Sequence, residues 1–418
     1  MATEQKTASS SRVRLGDLPN ELLGHILDYL DTECPSEVNW NQRPDIYLTQ
    51  SKTFDLKNIS STSKHLRHLV LPRLFAHARL DPNQSTPFLL FIRDKGLTLH
   101  ITSLVVHLSG PCTHLHPTWW YLLLNTIPLT TFTILCPPYV FAELTHASLV
   151  DTDSWVFNMP YHTLRLRQDR PTTTSSPFSH LFTTLPWTHL SVNESSSLKA
   201  YSQYEYFLRR TPSLLASLSH ALHYNHNHYS DFNLTLSPFS TLLTNLTHFT
   251  YTAIFPFYNH IETILHSVRK MPNLTHLAFK LCPEPESTVI DDELALALGH
   301  IDVNDAWMEF DTAYTLIAHT VIYLTPMEES GGKEVRQGQD SAGIELGQGR
   351  LEEFKVDDVK MEGIKDNLEK VITQRLREWW VYVGGGVWRR KERTCTTVGT
   401  AKEKVKEGVA VGGSSNGA

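Results

Sequence analysis

Thr244-Asn-Leu-Thr-His-Phe-Thr-Tyr251 and Pro272-Asn-Leu-Thr-His-Leu-Ala-Phe279 are two copies of one phrase, 28 residues apart. Pro186-Trp-Thr-His-Leu-Ser-Val192 is a third. Working outward, Pro128-Leu-Thr-Thr-Phe-Thr-Ile134, Pro160-Tyr-His-Thr-Leu-Arg-Leu166 and Pro212-Ser-Leu-Leu-Ala-Ser-Leu218 keep the pattern of a proline followed by an apolar, strand-like run. Ile101-Thr-Ser-Leu-Val-Val106 keeps the run without the proline. From residue 128 the starts lie 32, 26, 26, 32 and 28 residues apart. Helix-like stretches fall between them, at 119–125, 201–210 and 260–270. One short strand and one helix per period cannot bury an apolar face alone, so such units must stack.

The expected fold class is therefore α/β: an irregular, leucine-rich-repeat-like solenoid with parallel strands inside and helices outside. Alternation assigns the two faces of each strand. Leu164, Leu166, Leu190, Val192, Phe249, Tyr251, Leu277 and Phe279 are expected in the core. Arg165, Arg167, His189, His248, His276 and Lys280 are expected on the concave face, as a surface for a target protein. The three histidines share one phase, each just after a threonine. Thr and His also simply tolerate a half-exposed strand.

Composition divides the chain. Of 20 glycines, 5 precede residue 327 and 15 follow it. Charged residues number 21 over 81–280 but 32 over 327–418. The expected organisation is a disordered 1–14, a helical module over 15–80 with an insertion at 31–54, and an array over 81–326. A flexible linker over 327–350, a charged and partly helical segment over 351–398, and a disordered tail over 399–418 follow. Val371, Leu376 and Trp380 mark the one helix expected within 351–383.

The net charge of −7 gives no basic footprint, so nucleic acid is not an expected partner. No apolar run approaches a membrane span and no signal-peptide pattern opens the chain, so no membrane partner is expected. Five scattered cysteines without C-x-x-C spacing fit a reducing compartment, cytoplasmic or nuclear. Six N-x-S/T sequons read accordingly as turns rather than glycan sites.

The strongest local signal is N-terminal. Asp17-Leu18-Pro19 precedes Asn20-Glu21, placing Pro19 where a first-turn proline is tolerated. Leu22, Leu23, Ile26, Leu27 and Leu30 then form a wide apolar stripe on one helix. A second helical stretch carries Leu56, Ile59, Leu66, Leu69 and Val70, with Lys64 and Arg67 on its other side. So small a unit with so wide a stripe implies that a partner covers part of it.

On these residues the chain resembles the F-box family. The resemblance rests on Leu18-Pro19-Asn20-Glu21-Leu22-Leu23 with Ile26, Leu27 and Leu30, then on Leu56 to Arg67 and on Leu71-Pro72-Arg73-Leu74-Phe75. It implies docking onto a Skp-type adaptor, and through it onto cullin and RING subunits of a ubiquitin ligase. The docking positions it implies are Leu18, Pro19, Leu22, Leu23, Ile26, Leu27, Leu30, Leu56, Ile59, Ser63, Lys64 and Leu66. The family's two halves lie a few residues apart, whereas here 31–54 intervenes; such a loop costs little closure entropy.

Nothing in the sequence argues for catalysis, a cofactor or a metal. His223-x-x-His226-x-His228 and Cys112-x-His114-x-His116 lack further ligands at recognisable spacing. Gly384-Gly385-Gly386 lacks the Lys-Ser/Thr of a phosphate loop and is expected to be a linker. Trp388 to Arg393 is a short basic run, read as solvated rather than as an import signal. The function expected is recognition: a substrate adaptor of an SCF-type (Skp–cullin–F-box) ligase, or a scaffold that assembles without ubiquitin transfer.

Overall fold

Seven of the chain's short apolar runs become strands laid side by side in sequence order. A computed structural model describes residues 15–31, 33–50, 53–110, 119–145, 153–173, 180–215, 238–296, 300–325, 350–361 and 363–391. The strands are β1 His77–Leu80, β2 Ser103–His107, β3 Thr131–Cys136, β4 His162–Arg167, β5 His189–Ser196, β6 His248–Ile254, β7 His276–Lys280, β8 Glu353–Val356, β9 Trp380–Gly384 and β10 Val387–Arg390. They form one ten-stranded sheet in the order β1-β2-β3-β4-β5-β6-β7-β8-β10-β9. The protein is thus α/β, with a mostly parallel sheet.

Two faces follow from the pleat. Leu164, Leu166, Leu190, Val192, Phe249, Tyr251, Leu277 and Phe279 are buried in one continuous core with Phe132, Ile134 and Trp388. Helices such as Tyr258–Val268 and Val303–Tyr323 contribute to it through Ile261, Ile264, Phe310 and Ile317. The opposite face is polar. Across it runs the row His77, Ser103, Thr131, Arg167, His189, His248, His276 and Glu353. Beside it runs Arg79, Val105, Thr133, Arg165, Ser191, Thr250, Ala278 and Lys355.

Threonines at the strand entrances stitch neighbouring turns together. The hydroxyl of Thr130 donates to the Thr102 carbonyl (2.8 Å), Thr247 to Thr188 (3.2 Å) and Thr275 to Thr247 (3.0 Å). The Nε2 of Gln168 does the same for the Leu129 carbonyl at 2.6 Å. The Thr102, Thr188 and Thr247 carbonyls also accept from backbone amides of the next strand's entrance, so each hydroxyl adds a bond where the ladder already begins.

Three expectations are corrected. The ladder is not uniformly parallel, since β4 runs antiparallel to both β3 and β5. Alternation has period two in either direction, so a reversed strand carries the same apolar signature. The run at Pro212 forms no strand in its described part, because Ser213, Leu214 and Leu215 are all buried and do not alternate.

The third correction concerns 351–398. β8 adds to β7 in parallel, and β10 and β9 follow it, so the sheet takes this segment in. The helix within it is Lys365–Leu376, burying Leu368, Ile372 and Leu376. Gly384, Gly385 and Gly386 are the turn of the β9–β10 hairpin, with φ of 97°, 61° and 76°. A Cβ on Gly386 would collide with the Val356 carbonyl, so only glycine fits there. Residues 1–14, 326–349 and 392–418, and both histidine clusters of the sequence, lie outside the described residues.

Candidate functional site

The N-terminal module packs three helices, Asn20–Leu30, Phe54–Thr62 and Lys64–Ala76. Their own core is Leu27, Leu56 and Val70, flanked by Leu30, Ile59, Leu69 and Leu74. Ser63 caps the third helix, its hydroxyl accepting from the Leu66 amide at 3.1 Å. Arg73 clamps that helix to the first, donating to Asp28 Oδ1 (2.8 Å) and to the Gly24 carbonyl (3.2 Å).

This packing splits the expected docking positions. Leu23, Leu27, Leu56 and Leu66 are interior to the protein and cannot themselves meet a partner. Leu18, Leu30 and Ile59 are half-buried, while Pro19, Ser63 and Lys64 are exposed. Leu22 and Ile26 remain 50% and 37% exposed, and Tyr29 lies on the same stripe, also in solvent. These i, i+4, i+7 positions leave an apolar strip that nothing among the described residues covers.

The second region is the polar face of the sheet. His189, His248 and His276 lie half-buried and stacked, with centroids 3.9 Å and 4.1 Å apart and planes tilted by 16° and 6°. The Oγ1 of Thr188, Thr247 and Thr275 each sits 2.9 Å from the following Nδ1. The single protons of Thr247 and Thr275 go to carbonyls, so Nδ1–H of His248 and of His276 donates to them. Burial first, then the adjoining His189 and His276, pulls His248 down to about 4. His248 is therefore neutral at physiological pH and offers an acceptor, and burial lowers His189 as well. Arg167 is exposed beside it.

Two of the residues expected on this face are not free on it. Lys280 is 2% exposed and lies 3.5 Å from Asp358 and 3.6 Å from Glu284. Arg165 is engaged by the 31–54 insertion. Its guanidinium lies over the Trp40 ring, 4.2 Å from the centroid, and donates to the Ser36 carbonyl. Asn193 Nδ2 donates to the carbonyls of Trp40 (2.7 Å) and Gln42 (2.8 Å). Arg43 pairs with Glu293 at 3.3 Å, and Arg79 reaches the Ile46 carbonyl at 3.4 Å. Burial brings Arg165 down to about 10, still charged at neutral pH. Between Trp40 and Glu37 on one side and His248, Thr250, His276 and Lys355 on the other lies a cleft of about 330 Å³.

Sequence reasoning missed a buried cluster. Glu194 Oε2 lies 2.7 Å from His260 Nε2 and accepts from Tyr251 Oη at 2.7 Å, while its Oε1 accepts from Ser213 at 2.6 Å. Burial alone would push Glu194 up, but the charge and hydrogen bond of His260 hold it at about 2. These residues come from three stretches, at 194, 213 and 251–260, so no motif spacing announced them. The cluster is sealed from solvent and braces the ends of β5 and β6. Among the described residues, no three His, Cys, Asp or Glu side chains converge to hold a metal ion. No helix among them is long and apolar enough to cross a membrane.

Compared with protein-family models, curated proteins and solved structures, the chain matches none of them.

Proposed function

We propose that this chain is the substrate-recognition adaptor of an SCF-type ubiquitin ligase. Its three-helix N-terminal module acts as an F-box and docks on a Skp-type adaptor. The sheet acts as a degenerate leucine-rich-repeat-like array whose polar face holds the target. The observation that carries this reading is the uncovered strip of Leu22 and Ile26, on a helix whose other side is committed to the module's core. An apolar strip on so small a unit is stabilised by a partner. The half-buried histidine column beside exposed Arg167 supplies the second surface.

No residue is assigned chemistry and no cofactor is needed; the adaptor works by holding a target near a ubiquitin-loaded enzyme, at high effective concentration. The cytoplasm or nucleus is the expected compartment. The full chain should co-purify stoichiometrically with a Skp-type adaptor, and a Leu22→Ala, Ile26→Ala double variant should not. A target whose half-life does not depend on the chain would favour assembly without ubiquitin transfer.

A further inference from the structure

Residues 36–46 of the insertion lie along the polar face of the sheet as a bound ligand would. Four of its carbonyls, on Ser36, Trp40, Gln42 and Ile46, accept hydrogen bonds from Arg165, Asn193 and Arg79. These three donors come from β4, β5 and β1. Contacts to main-chain carbonyls hold a segment that runs from the helical turn Pro35–Val38 to the 3-10 turn Ile46–Thr49, without reading its sequence. The side chain that is read is Trp40, laid on the Arg165 guanidinium, where cation–π attraction and burial act together. Backbone recognition plus one pocketed side chain is the division of labour by which peptide grooves take their ligands.

The fit is incomplete in a telling way. Nε1–H of Trp40 and Nε–H of Arg165 are buried, and neither finds an acceptor among the described residues. A buried donor without an acceptor weakens whatever buried it. The insertion's own Glu37 carboxylate favours the Arg165 charge without accepting from its Nε–H, and a carboxylate placed next to the stacked aromatic ring would satisfy that open side of the fork. The adjoining cleft of about 330 Å³, walled by Trp40, His248 and His276, has room for one more side chain.

From this we infer that the polar face is a peptide-binding site and that residues 36–46 are its resident occupant. The ligand class is a target segment carrying an aromatic residue flanked by Asp or Glu. Its ring replaces Trp40 on Arg165, its carboxylate meets the Arg165 Nε–H, and its carbonyls accept from Asn193. Because the insertion joins the helices Asn20–Leu30 and Phe54–Thr62, displacing it also releases one tie between the docking module and the sheet, leaving the helix Lys64–Ala76 that runs straight into β1. This deepens the reading of the sheet face as the recognition surface and rests on it, but not on adaptor docking.

The test uses the full chain alone and a fluorescent peptide of its own residues 33–46. The tethered segment competes at high effective concentration, so the wild-type chain should bind the peptide weakly. Trp40→Ala in the chain should tighten binding at least tenfold, as read by anisotropy. Adding Arg165→Glu to that variant, or Ala in place of Trp within the peptide, should remove it. A folded Trp40→Ala chain that binds no better than wild type, or binding indifferent to Arg165→Glu, would overturn the inference. Should Trp40→Ala fail to fold, hydrogen exchange on the wild-type chain decides instead. Excess peptide should strip protection from the amides of residues 38–42, and unchanged protection at millimolar peptide overturns the inference. No adaptor is present, so failure here leaves the docking proposal standing, and loss of adaptor binding leaves this one standing.

Discussion

Asp358 shows how much a single buried carboxylate can organise. Fully buried, it accepts from the amides of Leu281 (2.6 Å) and Cys282 (3.2 Å) and from the Tyr314 hydroxyl (2.5 Å), with Lys280 at 3.5 Å. Burial opposes the charge on Lys280, yet Asp358, Cys282 and Glu284 outweigh it and raise the ammonium's pKa. Asp358→Ala leaves that ammonium buried and largely unpaired, at a cost on the order of 3–5 kcal/mol. Urea denaturation checks this, and a loss below about 1 kcal/mol would speak against the pinning role. Lys280 stands in the right phase for the polar face; its phase was legible in the sequence, but its covering by a residue 78 positions away was not. The histidines make a second residue-scale prediction. His162 is pulled down to about 4 mainly by burial, as is His248. An unfolded histidine titrates near 6.5, so between about 6.5 and 4 the unfolded chain binds more protons and native stability falls with pH. For fully buried His162 the share is roughly 3 kcal/mol by the same linkage, and solvent screens the half-exposed His248 to a smaller one. Urea midpoints should drop between pH 7.5 and 5, and His162→Gln should flatten the drop; a flat wild-type profile would contradict it.

At the scale of elements, the helix Asn20–Leu30 divides its apolar residues between two tasks. Leu27→Ala opens a cavity in the small core with Leu56 and Val70 and should cost about 2–5 kcal/mol. Leu22→Ala touches a residue half in solvent and should stay within roughly 0.5 kcal/mol in the same denaturation assay. Equal losses would mean the strip is not free. The 3.6-residue spacing announced the whole stripe, but spacing cannot say which half the chain covers itself. The strands show the same limit. Period two placed Leu190, Val192, Phe249 and Tyr251 in the core correctly, because the signal is the pleat itself. It was silent on the reversal of β4, and it admitted Pro212, where adjacent Leu214 and Leu215 are both buried against the core.

Over the whole molecule, one sheet runs from His77 to Arg390 and reaches past the composition change at residue 327. Charge and glycine content mislead there because these strands carry their charge on the sheet's polar face, where Glu353 and Lys355 continue the two polar rows and Arg389 pairs with Glu353. The signal that belonged to the fold was Trp380, Trp388 and Phe354, all buried. The insertion was legible as an insertion, from the separated halves of the helical module. Its seat on Arg165 and Asn193, more than a hundred residues on, has no local trace. Its docking ties the module to the sheet, and the proposed function assigns the module to a ligase and the sheet face to a target. The measurement that tests this most directly is co-purification of the full chain with a Skp-type adaptor, wild type beside Leu22→Ala, Ile26→Ala. The account predicts a stoichiometric complex with the wild type and none with the variant, both chains keeping the same urea midpoint. A wild-type chain that is folded and does not bind, or a variant that binds as well, would contradict it.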